Sequence, residues 1–203
     1  MTAQASDTVV HRDAEFKLAH STGSGLVNVF AALGYRPHPT CTACYAGYIA
    51  GYSIIDGRLF LSSLSVAPPD EFCDPNYVGE LPKLFGVSGV LGGFLGAEYE
   101  GLSEPLPFTG GLILGNGFIS DLYAHSGSHP AWKYGRVYEI IFDSGQVIEE
   151  HDRSASMADY RTKHEHYWKT EWIPSNPPDF DLLADMVADC FALDYGLRRR
   201  RHQ

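Results

Sequence analysis

Hydrophobic and polar positions alternate with period two along much of the middle of this chain, and that pattern predicts strands. Tyr48, Ala50, Tyr52 and Ile54 recur on one side of an extended run, and a second β-rich run covers 59–66. Asp56-Gly57 lies between them. Such a pair signals a hairpin, because both central residues of a type I′ turn need positive φ. The same grammar predicts two further turn-linked pairs. One joins 112–114 to 118–123 around Gly115-Asn116-Gly117, and the other joins 137–142 to 146–149 around Asp143-Ser144-Gly145. Three hairpins in succession predict a mainly β (α+β) fold, an antiparallel barrel or sandwich with one or two C-terminal helices.

The helical signals are local. Residues 26–33 are long enough for a short helix with Ser24 as cap and Gly34 as stop, and a strand fits the same stretch nearly as well. Residues 154–169 lack β-branched side chains apart from Thr162, which favours helix. Beyond Pro174 and Pro178, the residues Leu182, Leu183, Met186, Val187, Cys190 and Phe191 recur at helical spacing, opposite Asp181, Asp185 and Asp189. Asp179 and Gly196 suit its two ends. Prolines and aspartates make 67–83 a loop, and the glycines at 86, 89, 92, 93 and 96 predict bulges or close backbone approach in a curved sheet. The expected organisation is one domain over 1–203, with a β core at 45–150 and a helical part at 154–197 packed on it.

The densest polar cluster runs from Asp121 to Tyr134. If a strand passes through His125, then Asp121, Tyr123 and His125 share one face. A carboxylate, a phenol and an imidazole so placed can tune an acid–base histidine, and Gly127 lets the chain return His129 and Lys133 towards them. The alternative is a polar outer face followed by a loop anchored on Trp132. His38, Cys41 and Cys44 have a ligand-like H-x2-C-x2-C spacing, and Cys73 could complete a zinc set, but its second arm is a lone cysteine. Four reduced thiols and no cofactor are the expectation. His164-Glu165-His166 diverge by about 200° on a helix and read as a solvated face. Gly23-Ser24-Gly25 is a partial nucleotide-binding turn, with Asn28 in place of the third glycine and no buried parallel strand before it.

Two stretches carry a resemblance. Gly47-Tyr48, Tyr52-Ser53-Ile54 and Leu59-Phe60-Leu61 resemble the first hairpin of a broad family of uncharacterised bacterial proteins. Leu122-Tyr123-Ala124-His125, Gly127 and His129-Pro130-Ala131-Trp132-Lys133-Tyr134 resemble their later signature. Tyr52 stands where those proteins usually have Trp, and Ser126 where they often have Met. The resemblance implies no activity, and it leaves the cysteine pair outside the shared pattern.

Charge narrows the functional classes. The 203 residues carry 15 Lys and Arg against 25 Asp and Glu, a net of −10, and four of the basic residues are the arginines at 198–201. Nucleic-acid and anionic-membrane surfaces need clustered cations, so neither partner is expected, and the arginine run reads as a solvated terminus. Residues 1–15 hold no apolar signal core, and the uncharged Gly-rich run 84–97 is too short to span a bilayer, so a cytoplasmic protein is expected. Two functional readings follow. One is an acidic interaction protein, of immunity type, that neutralises or regulates a basic protein partner. The other is an enzyme or small-ligand binder with an acid–base pocket around Asp121, Tyr123, His125, His129 and Lys133.

Overall fold

The computed structural model describes residues 2–74, 79–123, 125 and 127–163. In chain order the elements are β1 (Thr8–His11), β2 (Ala14–Ser24), α1 (Val29–Leu33), β3 (Tyr48–Ile55), β4 (Arg58–Val66), β5 (Val90–Gly92), β6 (Gly96–Pro105), β7 (Thr109–Phe118), β8 (Tyr134–Asp143), β9 (Gln146–Asp152) and α2 (Ser154–Lys163). The last predicted helix, the rest of 154–169, His164-Glu165-His166 and the arginine run all lie outside the described residues.

The fold is mainly β. Strands β3-β1-β2-β7-β8-β9-β4 form a ring that β4 closes on β3, while β6 and β5 extend outward from β4. The ring is not a regular barrel, because β4 meets β9 through the single pair Arg58–Gln146. A sandwich-like arrangement results. Among the described strands all pairings are antiparallel except β1 with β3, a departure from the hairpin-only expectation. The β core also starts at Thr8 rather than at 45, because Arg12 and Asp13 turn β1 into β2 at positive φ of 49° and 60°. Neither residue is glycine, so the usual turn signal is missing there.

Two predicted hairpins form as expected. Asp56 and Gly57 (φ 49° and 72°) join β3 to β4, and Ser144 and Gly145 (φ 49° and 83°) join β8 to β9. The third does not form. Strand β7 runs straight through Gly115-Asn116-Gly117, with Gly115 opposite Val137 on one side and Lys17 on the other. Gly115 serves close packing instead of turning: a Cβ there would lie 2.5 Å from the Tyr134 ring. Residues 118–123 therefore do not form the return strand. The helix expected over 26–33 is confined to α1, capped by Asn28, whose side chain accepts from the Ala31 amide at 3.1 Å. Ser24 ends β2 instead, and Gly34 (φ 78°) supplies the expected stop. Within the expected loop 67–83, Asp70–Cys73 make a 3-10 turn.

Inward-facing residues of the ring, among them Val9, Phe16, Leu61, Leu64, Leu112, Leu114, Ile140 and Phe142, form the principal core. A second cluster lies on the outer face, where Met157 and Tyr160 of α2 pack against Ile113, Tyr134 and Val137. Arg153, just before α2, donates from Nε and Nη2 to Glu139 Oε2 at 2.8 and 2.7 Å, and Glu139 is fully buried. This charge-assisted pair ties the start of α2 to β8. No helix among the described residues is long and apolar enough to cross a membrane.

Candidate functional site

The predicted acid–base cluster lies on the loop between β7 and β8. Strand β7 stops at Phe118, a 3-10 turn covers Ser120–Leu122, and a second covers Ala131–Lys133 before β8 begins. Tyr123 and His125 are not in a strand as expected: Phe118 pairs with Tyr134 and the Ile119 amide donates to Lys133 O at 2.9 Å, which closes the loop at its base. Arg161 of α2 holds the same base, donating from Nη1 to the carbonyls of Trp132 and Tyr134 at 2.9 and 3.0 Å. The tip meets the N-terminal segment, where the Gln4 amide donates to Gly127 O at 2.9 Å.

This loop gathers four of the five predicted residues by a different route. Tyr123 Oη and His125 Nδ1 are 3.1 Å apart, and Lys133 Nζ lies 3.5 Å from His129 Nδ1. The His129 ring sits 4.7 Å from that of Phe118 and 5.4 Å from that of Tyr123. Asp121 does not join them. It is exposed on the 3-10 turn and accepts from Ser120 Oγ at 3.4 Å. Burial, reinforced by the Lys133 charge, holds His129 below the ordinary histidine range. Burial likewise lowers Lys133. The cluster is thus aromatic and basic, and among the described residues no carboxylate hydrogen-bonds to its histidines.

The candidate zinc ligands do not converge. His38 Nδ1 faces Asp70 Oδ1 at 3.3 Å, and buried Cys44 donates to Tyr48 O at 3.2 Å. Desolvation raises the Cys44 value, which favours the thiol over the thiolate that zinc needs. The Cys73 side chain lies outside what the structure describes, and no three potential ligands cluster among the described residues.

Two features had no sequence signal. The first is a cleft of about 390 Å³ whose walls include Gln4, Asp7, Leu18, Tyr45, Tyr48 and Ser128. Asp7 accepts from the Ala50 amide at 2.8 Å, and burial raises its carboxyl to about 6. Burial and the Asp7 charge together push Tyr48 and Tyr52 upward. Asp7 is a lone acid in a polar stretch, and only the folded position of β3 buries it. The second feature is the outer edge of β5, whose other edge pairs with β6. Val90 and Leu91 are 69% and 56% exposed there, beside a groove of about 440 Å³ lined in part by Phe72, Leu81, Val90 and Leu91. Apolar residues are visible in the sequence at these positions, but their exposure is not. Comparison with protein-family models, with curated proteins and with solved structures finds no match to this chain.

Proposed function

We propose that this protein is a binding module that neutralises or regulates a basic protein partner, as an immunity protein does, and that it takes an extended segment of that partner along the β5 edge. The observation that carries the reading is the edge itself. Proteins ordinarily blunt sheet edges with charge, proline or brevity. Strand β5 is short, yet it presents Val90 and Leu91, with Phe94 in the following turn 61% exposed. One strand inward, Glu98 pairs with Val90, and Glu100 stands further along β6. Glu80 lies on the groove lining, which also carries Lys83. An extended segment that alternates apolar and basic residues satisfies both features, with its apolar side chains against the groove and its cations at the glutamates. The net charge of −10 steers such a partner towards the protein.

The test is two-staged. A protein captured from the native host is identified, purified separately and titrated against wild type and Leu91→Asp. The expected partner is basic, binds less tightly as salt rises, and loses about tenfold or more in affinity to the variant. The variant's melting temperature stays near wild type, because Leu91 is already exposed. Equal affinity for both forms, or binding indifferent to salt, overturns the reading. Self-association abolished by the same substitution assigns the edge to a second copy of this chain instead. A ligand pocket on the 119–133 loop is the second reading, favoured by the Tyr123–His125 and His129–Lys133 contacts.

A further inference from the structure

We infer that the cleft between the N-terminal segment, β2 and the loop before β3 is a binding site for an organic ammonium group, with Asp7 as its counter-charge and Tyr45 and Tyr48 as its aromatic wall. The inference is independent of the β5 edge, which involves other residues.

A carboxylate removed from water needs either a cation or several hydrogen bonds to remain ionised. Asp7 has the backbone amide of Ala50, and no cationic side chain pairs with it among the described residues. The contrast with Glu139, which is held by Arg153, is direct. Among the described residues no lysine or arginine lines the cleft, whose one imidazole is that of His20, so an ammonium group from outside can serve as the counter-charge of Asp7. The volume of about 390 Å³ lies within the range of small-ligand sites. Two tyrosines line the same cleft, and aromatic faces beside a carboxylate form the pairing that ammonium groups favour over neutral isosteres. Ser128 adds a polar group for the remaining N–H donors, while the Gln4 side chain holds the wall in place, its Oε1 accepting from the Tyr45 amide at 3.0 Å. The titratable groups around Asp7 are Tyr48 and Tyr52 on β3, His20 on β2, and Cys44 and Tyr45 in the loop before β3.

The shared chemistry, an alkylammonium, can come from a free amine or from a lysine side chain of another protein. The whole protein, labelled with ¹⁵N, is titrated with butylamine, butane-1,4-diamine, Nα-acetyl-lysine methylamide and, as the neutral isostere, 1-butanol. The reporter is the Ala50 amide, whose N–H donates to Asp7. Butylamine and the diamine are expected to shift it saturably, and butanol is not. Asp7→Asn keeps an oxygen acceptor for Ala50 but removes the charge, and is expected to weaken the amines about tenfold or more. Tyr45→Ala, at a position 57% exposed, is expected to weaken them several-fold, about 3–10, with the fold intact, so the inference stays testable should Asp7→Asn not fold. Affinity falls as the pH drops through about 6, where Asp7 takes up its proton. Acetyl-lysine methylamide binding more tightly than the diamine supports the site with a protein lysine as its source. Equal saturation by butanol, no saturation by any amine, or amine affinity unchanged in both variants overturns it.

Discussion

The carboxylates of Glu139 and Asp7 stand in opposite situations. Glu139, on β8, is fully buried and receives two hydrogen bonds from Arg153 at 2.7 and 2.8 Å. Asp7, before β1, is mostly buried but receives one backbone hydrogen bond and no cation among the described residues. The first acid is matched within the fold and fastens α2 to the sheet. The second is held in a cleft at a cost to stability. A charge that the fold does not neutralise is either a defect or a place where something else supplies the cation.

Loss of the guanidinium beside Glu139 turns the matched acid into an unmatched one. Arg153→Met keeps much of the side-chain bulk and leaves a fully buried carboxylate without its guanidinium. Losses of about 3–5 kcal/mol accompany this kind of change, so a large fall in denaturant midpoint is expected. A loss below about 1 kcal/mol, the scale of an exposed ion pair, means that water reaches Glu139 and that the two acids are not opposites. The complementary change is Asp7→Asn. An acid whose value rises on folding, here from 3.8 to about 6, contributes stability that is complete below the lower value and lost as pH rises through the higher. The amide variant escapes that loss. It is expected to be more stable than wild type by about 2–3 kcal/mol above pH 6 and equal to it below the ordinary carboxylate range, as read by thermal melts across pH. Stabilisation that does not change with pH would trace to packing and not to the charge.

The same comparison shows what the sequence makes legible. Hairpins at Asp56-Gly57 and Ser144-Gly145 could be read because their chemistry is local: positive φ is written in the residue types. The β1–β2 turn uses Arg12 and Asp13 at positive φ, and nothing in those residues announces it. Gly115 misled in the other direction, since a glycine that makes room for the Tyr134 ring looks the same in sequence as one that turns the chain. The polar cluster at 121–134 was legible as a cluster, although its geometry came from two 3-10 turns instead of a strand, and this left Asp121 outside. Asp7 was invisible because its burial depends on Ala50, 43 positions away. Long-range contacts create the unmatched acid, and period and spacing do not encode them.

A milder imbalance of the same kind occurs among the bases. On the 119–133 loop, Lys133 is buried against His129 and pairs with no acid among the described residues, the mirror image of Asp7. Burial is the larger cause of the depressed His129 value and the Lys133 charge the smaller. Lys133→Met removes the charge and retains an apolar chain in the same space. The His129 imidazole is then expected to titrate higher than in wild type but still below the ordinary histidine range, because desolvation persists. The measurement is an NMR pH titration of the His129 ring protons in wild type and variant. A histidine with a lowered folded value contributes stability above the ordinary range that is lost as pH falls through it, so the variant should lose less stability on acidification than wild type does. An unchanged His129 titration would mean that the lysine ammonium turns away from the ring in solution. The loop would then hold an aromatic-packed histidine, and the charge mismatch would belong to Asp7 alone.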